Sequence, residues 1–270
     1  MIKTDLHTHS VYSFDGHFSV DDMCRAALDR GLSVLAFTEH FDLSPSSGDG
    51  YFKSVNSRRK KEVKECAEKY RDKLLVLEGI ELGQPHVNLK ESAKVLSENH
   101  FDMVIGAVHN LDDGRDVYVI DYREQSQCEH IMELYLNTVY KTASSADFDT
   151  LAHLDFPMRK MSKVYAVPEN YTLRPYEEQI REILKVLVKR GKALEVNTRG
   201  FICWQNQPCP EKWVLEAYRE YGGKLLTVGS DAHYDKYVGL GAEKTAEILK
   251  STGFSAVTYY KDRQPHFMEI

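Results

Sequence analysis

Short apolar runs of strand length alternate along this chain with longer segments whose apolar residues recur at helical spacing. That is the pattern of repeated βα units around a parallel sheet. The runs read as strands are Lys3–His7, Ser33–Thr38, Leu74–Ile80, Met103–Val108, Thr150–Leu154, Ala193–Val196 and Leu225–Val228, with a weaker eighth near Ala256–Tyr260. Helical periodicity falls at 20–30, 54–70, 90–99, 124–144, 175–190, 210–221 and 242–251. Ser19-Val20-Asp21-Asp22 supplies a hydroxyl cap and an acidic first turn, and Arg30-Gly31, Arg190-Gly191 and Tyr221-Gly222 carry the glycine that ends helices. Seven or eight such units suit a closed α/β barrel with its site at the C-terminal ends of the strands.

No internal repeat, low-complexity tract or linker divides the chain. Residues 1–270 therefore read as one barrel domain, although length alone also admits two domains of about 150 residues. The longest connection, 41–72, contains Ser44-Pro45-Ser46-Ser47-Gly48-Asp49-Gly50 followed by a lysine-rich helix. It is a surface excursion near a strand end, either a lid or a plain solvent loop.

Composition narrows the classes. With 42% hydrophobic and 28% charged residues in 270, the chain can bury a substantial core, which excludes disorder as its main state. Thirty-five basic against 41 acidic residues leave a net charge of −6, and the lysines fall on helix surfaces, so a nucleic-acid partner is not expected. No apolar run approaches the roughly 20 residues of a membrane helix, and the start lacks the apolar stretch of a signal peptide. A cytoplasmic protein without a membrane partner is the expectation. The five cysteines (24, 66, 128, 203, 209) are odd in number with no Cys-x-x-Cys pair, and read as reduced packing residues.

The chemistry lies at the strand exits. The runs lead into Asp5-Leu6-His7-Thr8-His9, Thr38-Glu39-His40, Gly79-Ile80-Glu81, Val108-His109, Ala152-His153-Leu154-Asp155 and Ser230-Asp231-Ala232-His233. Six of seven strands thus deliver a ligand-type side chain at one end, and in a parallel barrel those ends share a face. Any one piece has a bland reading: His-x-His is common in strands, and a single histidine is more often a hydrogen-bonded core residue. Repetition at the same end is what argues for metal. Without cations, such a ring of imidazoles and carboxylates would leave unsatisfied and like-charged groups together. His17 and His86 follow strand exits closely and are candidate cleft residues, whereas His100, His130 and His266 read as surface residues.

With those motifs in view, the sequence resembles the polymerase-and-histidinol-phosphatase (PHP) superfamily, and within it the histidinol-phosphate phosphatase branch. The carriers are Asp5-Leu6-His7-Thr8-His9-Ser10, Phe37-Thr38-Glu39-His40, Gly79-Ile80-Glu81, Gly106-Ala107-Val108-His109, Leu151-Ala152-His153 and Gly229-Ser230-Asp231-Ala232-His233, in the family's order over nearly the whole chain. The resemblance implies a distorted (βα)7 TIM-like barrel and a trinuclear centre. By that pattern His7, His9, Glu81 and Asp231 hold one ion, and Glu81 bridges to a second held with His109 and His153. A third is held by His40, His233 and Asp15, a position where the family pattern varies between histidine and aspartate. It places Glu81, Asp231 and His233 at the reacting centre. The donors are nitrogen and oxygen only, which suits two or three divalent ions of zinc, iron or manganese. Asp5, Glu39 and Asp155 are candidates to accept the second ring N–H of ligating histidines.

The implied reaction is hydrolysis of a small phosphomonoester, L-histidinol phosphate in histidine biosynthesis, by attack of a metal-bridging hydroxide. A phosphate dianion also calls for protein cations; Arg159 and Arg199, with Lys160 as substitute for Arg159, are the candidates. Tyr12, Tyr118, Glu39, Trp204 and Asp155 are candidate walls for the rest of the substrate. No serine or cysteine nucleophile motif, Walker loop or Gly-x-Gly-x-x-Gly is present. The competing readings are a phosphoesterase for a nucleotide or another small ester, a metal-dependent amidohydrolase, and a non-enzymatic metal-binding domain. Val108-His109 stands where many amidohydrolases place a bridging lysine.

Overall fold

The computed structural model describes residues 1–43, 50–122, 125–164, 172–203 and 206–270. Seven strands, β1 (Thr4–Thr8), β2 (Val34–Asp42), β3 (Leu75–Gly83), β4 (Met103–Ala107), β5 (Thr150–Leu151), β6 (Ala193–Asn197) and β7 (Leu226–Gly229), form one parallel sheet in chain order. The exit of β7 returns to that of β1, where Asp231 N–H donates to His7 O (2.8 Å) and His9 N–H to Ala232 O (2.9 Å). The sheet is thereby curled into a nearly closed barrel. Parallel pairing leaves β2 and β3 longer than their apolar runs, because the ladder continues through the polar ends and sets His40 directly opposite Glu81.

The crossovers are α1 (Val20–Asp29), α2 (Gly50–Tyr70), α3 (Leu89–Glu98), α4 (Gln125–Ser145), α5 (Met158–Val164), α6 (Glu177–Arg190), α7 (Gly200–Cys203), α8 (Lys212–Glu220) and α9 (Ala242–Ser251). The Ser19–Asp22 capping box opens α1 as expected, and Gly31, Gly191 and Gly222 follow helix ends at positive φ. The largest core cluster includes Val139 of α4, Ile180 and Leu184 of α6 and Val214 of α8 with Val104 and Leu194 from the sheet. A second packs α1 and α2 on Leu35, Phe37 and Val76.

α2 starts at Gly50, four residues before its periodicity, and it is not wholly a solvated helix. Arg59 is fully buried, paired with Glu78 at 2.6 Å and placed near the Phe52 and Phe101 rings. Segment 44–49, the centre of the candidate lid, lies outside the described residues.

The weak eighth run does not join the barrel. β8 (Ala256–Lys261) instead pairs antiparallel with β9 (Gln264–Glu269) around Asp262-Arg263, both at positive φ, a two-residue hairpin turn. Its tip is drawn to the N-terminal end of the barrel. Lys261 meets Asp102 at 2.6 Å, and Arg263 meets Asp147 at 2.9 Å and Asp149 at 3.0 Å. Those aspartates stand just before β4 and β5, so the hairpin covers the end opposite the strand exits.

Candidate metal centre

All nine donors come together at the strand exits, with Glu81 at the middle. Its Oε2 lies 3.3 Å from His7 Nε2 and 3.5 Å from His9 Nε2, and Asp231 Oδ1 lies 3.8 and 3.5 Å from the same two nitrogens. Its other oxygen, Oε1, lies 2.9 Å from His153 Nε2 and 3.2 Å from His109 Nε2. Asp15 joins the third group, 3.1 Å from His233 Nε2 and 3.6 Å from His40 Nε2, while His40 Nδ1 faces Glu81 Oε2 at 2.8 Å. Two donors each about 2.0–2.1 Å from one tetrahedral ion stand roughly 3.4 Å apart, close to these separations. His7 Nε2, His9 Nε2, Glu81 Oε2 and His233 Nε2 are buried atoms with no hydrogen-bond partner. That is the condition an ion among them would relieve, so the residues fit divalent cations.

The backbone is shaped for this. His153 and Asp231 sit at φ +24° and +54°, a region that costs non-glycine residues about 1–3 kcal/mol and persists where surrounding contacts enforce it. Two glycines allow close approach. A Cβ on Gly83 would lie 1.7 Å from Asp42 Oδ1, and one on Gly229 would lie 2.3 Å from His7 Cβ and 2.7 Å from Glu195 Oε1.

Other side chains fix which ring nitrogen faces inward. His7 Nδ1 meets Glu195 Oε1 at 2.6 Å and His109 Nδ1 meets Asp42 Oδ1 at 2.7 Å. Ser13 donates to Glu39, so its oxygen accepts from His9 Nδ1 at 3.0 Å. In each case the proton is held on Nδ1 and Nε2 is left to coordinate. Neither Asp42 nor Glu195 was among the sequence candidates, and the expected orienting acids act elsewhere. Asp5 accepts from Ser230 and Gly239 and pins the exit of β7 to β1, while Glu39 reaches His9 only through Ser13. Asp155 is fully buried beside Arg159 and Cys209, and burial pushes its carboxyl up to about 7. The missed pair did leave a trace. Asp42 shares a strand face with His40 at alternate spacing, and Glu195 is an acid in the middle of an apolar strand.

Burial raises the Glu81 carboxyl, but the charges of His7, His109 and His40 outweigh it and hold it well below the usual range. Burial disfavours the imidazolium of His109, yet Asp42 and Glu81 push it up to about 10. His7 and His40 are raised for the same kind of reason, whereas burial and the charges of His40 and His233 lower His9 to about 3.

The family model described as PHP domain matches residues 5–199, which include seven of the nine donors; Asp231 and His233 lie beyond. The chain belongs to the PHP domain family. Over its length this PHP protein is 29% identical to a probable histidinol-phosphatase of Clostridium acetobutylicum, covering 95% of this chain and 96% of that one. It is 28% identical to a histidinol-phosphatase of Lactococcus lactis, covering 94% and 93%. The crystal structure of histidinol phosphate phosphatase from Lactococcus lactis, complexed with zinc, L-histidinol and phosphate, superposes with a TM-score of 0.80 at 25% identity, covering 98% of each chain.

The substrate-side candidates of this PHP domain are only partly gathered. Arg159 enters the centre, its NH1 donating to Asp231 Oδ2 at 2.5 Å. Arg199 stands at the exit of β6 with its guanidinium 4.5 Å from the centroid of the Tyr237 ring, and NH1 is buried with no hydrogen-bond partner. Lys160 turns to the rim, 3.3 Å from the centroid of the exposed Tyr118 ring, rather than joining the donors. Tyr12 is tied to α2 through Glu62 at 2.6 Å, and Trp204 lies outside the described residues. His17 stacks on Tyr234, 4.3 Å between centroids, while His86 is taken up by Thr142 and Asp112. Among the described residues no helix is long and apolar enough to cross a membrane.

Proposed function

We propose that this PHP protein is a metal-dependent phosphoric monoester hydrolase whose substrate is L-histidinol phosphate. The observation that carries the chemistry is the placement of Glu81, itself fully buried, whose two carboxylate oxygens face two different sets of imidazoles within the ring of nine donors. The substrate rests on near full-length similarity to histidinol-phosphatases and to a structure complexed with zinc, L-histidinol and phosphate.

His7, His9, Glu81 and Asp231 would hold one ion, Glu81, His109 and His153 a second, and Asp15, His40 and His233 a third. Divalent ions there supply an activated water and neutralise charge at phosphorus. The protein's own side chains then bind and orient. Arg159, now paired with Asp231, and Arg199, whose planar fork suits two phosphoryl oxygens, hold the dianion. His7, His9, Glu81, His153 and Arg159 are buried, so charges there act in a medium less polar than bulk water. A small single substrate also agrees with the net charge of −6, which disfavours a polyanionic partner.

The test is a steady-state comparison, on metal-loaded protein, of L-histidinol phosphate with p-nitrophenyl phosphate and a nucleoside monophosphate. The highest kcat/KM is expected for L-histidinol phosphate, and Arg199→Ala should lower it. A nucleotide turned over better would overturn the substrate assignment. Glu81→Ala retaining wild-type turnover would overturn the assigned bridge.

A further inference from the structure

Immediately beyond β3, Gln84 occupies a left-handed conformation, φ +51° and ψ +47°, that a glutamine rarely adopts, and its side chain is almost fully buried. Every polar atom of that side chain is engaged. Its Oε1 accepts from His109 N–H and, at 3.1 Å, from Asn110 N–H. Its Nε2 donates to Asn110 Oδ1 at 3.1 Å and to Asp42 Oδ1 at 3.4 Å. That Asp42 oxygen is the one that meets His109 Nδ1 at 2.7 Å. Gln84 therefore touches His109 from two sides, at its main chain and through the carboxylate that sets its ring.

The surroundings explain why a glutamine is held in this backbone. Gly83 leaves room for Asp42 against His109, and Gln84 N–H continues the β3–β4 ladder to Ala107 O at 2.9 Å, which fixes where its side chain starts. Backbone in this region costs a non-glycine residue about 1–3 kcal/mol and is retained where the structure enforces it, most often beside functional groups. Glycine would remove that strain here but would also remove all four side-chain hydrogen bonds.

We propose that Gln84 is a positioning residue for the metal-binding His109, acting by locking the Asp42–His109 pair and the His109 main chain together. This rests on the assignment of His109 as a ligand. Among the described residues Gln84 hydrogen-bonds to no other proposed ligand, so its effect should fall first on the ion held by Glu81, His109 and His153.

The experiment measures zinc stoichiometry and affinity by competition with a chelator, with melting curves of the zinc-free and zinc-loaded chain, for wild type, Gln84→Ala, Gln84→Glu and His109→Ala. Gln84→Glu keeps the size of the side chain and the acceptor facing His109 N–H but cannot donate to Asp42, so it reports even if Gln84→Ala fails to fold. Zinc affinity at one site is expected to fall about 10–100-fold in the Gln84 variants, as removal of a partner of a metal-bound histidine does, and the zinc-induced rise in melting temperature should shrink with it. A purely structural role would lower the zinc-free and zinc-loaded melting temperatures equally and leave affinity unchanged; that result, with His109→Ala losing an ion, overturns this proposal alone. His109→Ala with the wild-type zinc count would instead overturn the ligand assignment, and the role of Gln84 with it.

Discussion

Glu195→Gln changes one charge at nearly constant shape and should separate ring orientation from packing. In the wild-type site both carboxylate oxygens accept: Oε1 from His7 Nδ1 at 2.6 Å, and Oε2 from His153 N–H at 2.8 Å and Asn197 Nδ2 at 3.0 Å. An amide has only one acceptor oxygen. If that oxygen keeps His153 and Asn197, the NH2 group faces His7 Nδ1 and requires it to accept, which moves the ring proton to Nε2, the atom 3.3 Å from Glu81. If the amide turns over, the NH2 group confronts the His153 N–H and leaves that buried donor unsatisfied. Either arrangement costs about 1–3 kcal/mol, a factor of roughly 5–150 in affinity at 1.4 kcal/mol per tenfold. The range brackets the roughly 10–100-fold found when partners of metal-bound histidines are removed. Competition with a chelator reads the zinc affinity, and nitrogen-15 NMR of the imidazoles reads the His7 tautomer. Wild-type affinity with the His7 proton still on Nδ1 would refute the reasoning.

Gly83→Ala should act on the second orienting pair, because the added methyl would stand 1.7 Å from Asp42 Oδ1 and 3.0 Å from His109 Nδ1. Less zinc retained after dialysis and a lower zinc-loaded melting temperature are expected, and unchanged retention would contradict the close-approach argument. Zinc binding should release protons and tighten as pH rises, since His7, His40 and His109 are raised above the ordinary imidazole value, His109 to about 10, and must lose their protons to coordinate. Titration calorimetry in two buffers of different ionisation enthalpy counts those protons; affinity independent of pH between 6 and 8 would exclude the charge arrangement. For the metal-free chain the sign reverses. The three raised imidazoles, His7, His40 and His109, stabilise the fold fully below the ordinary value of 6.5, and the contribution of His109 is lost as pH rises towards about 10. Against burial, Glu81 is held low by His7, His109 and His40, and Asp231 by His7 and Arg159; both stabilise the fold above their ordinary values of 4.5 and 3.8 and lose that contribution in acid. Melting temperature against pH on chelated protein checks both limits.

Eight of the nine donors and the barrel that gathers them were legible in the order of residues, because each depends on a local pattern, whereas Asp15, well past the exit of β1, was implied only by the family resemblance. An apolar run sets a strand, its polar exit sets a ligand, and a parallel barrel collects the exits on one face. The helix starts and stops followed from equally local capping chemistry at Ser19, Gly31, Gly191 and Gly222. Tertiary structure alone decided which carboxylates orient the rings. Glu195 meets His7 across 188 positions and Asp42 meets His109 across 67, contacts created by barrel closure and by strand register. It also decided the fate of the run at Ala256–Tyr260, whose pairing with β9 and whose charge pairs to Asp102, Asp147 and Asp149 arise only once those aspartates are lined up before β4 and β5. Periodicity and capping act over a few residues, so the chain displays them directly; a hydrogen bond between distant side chains depends on where two strands stand in space, which no stretch of either strand contains.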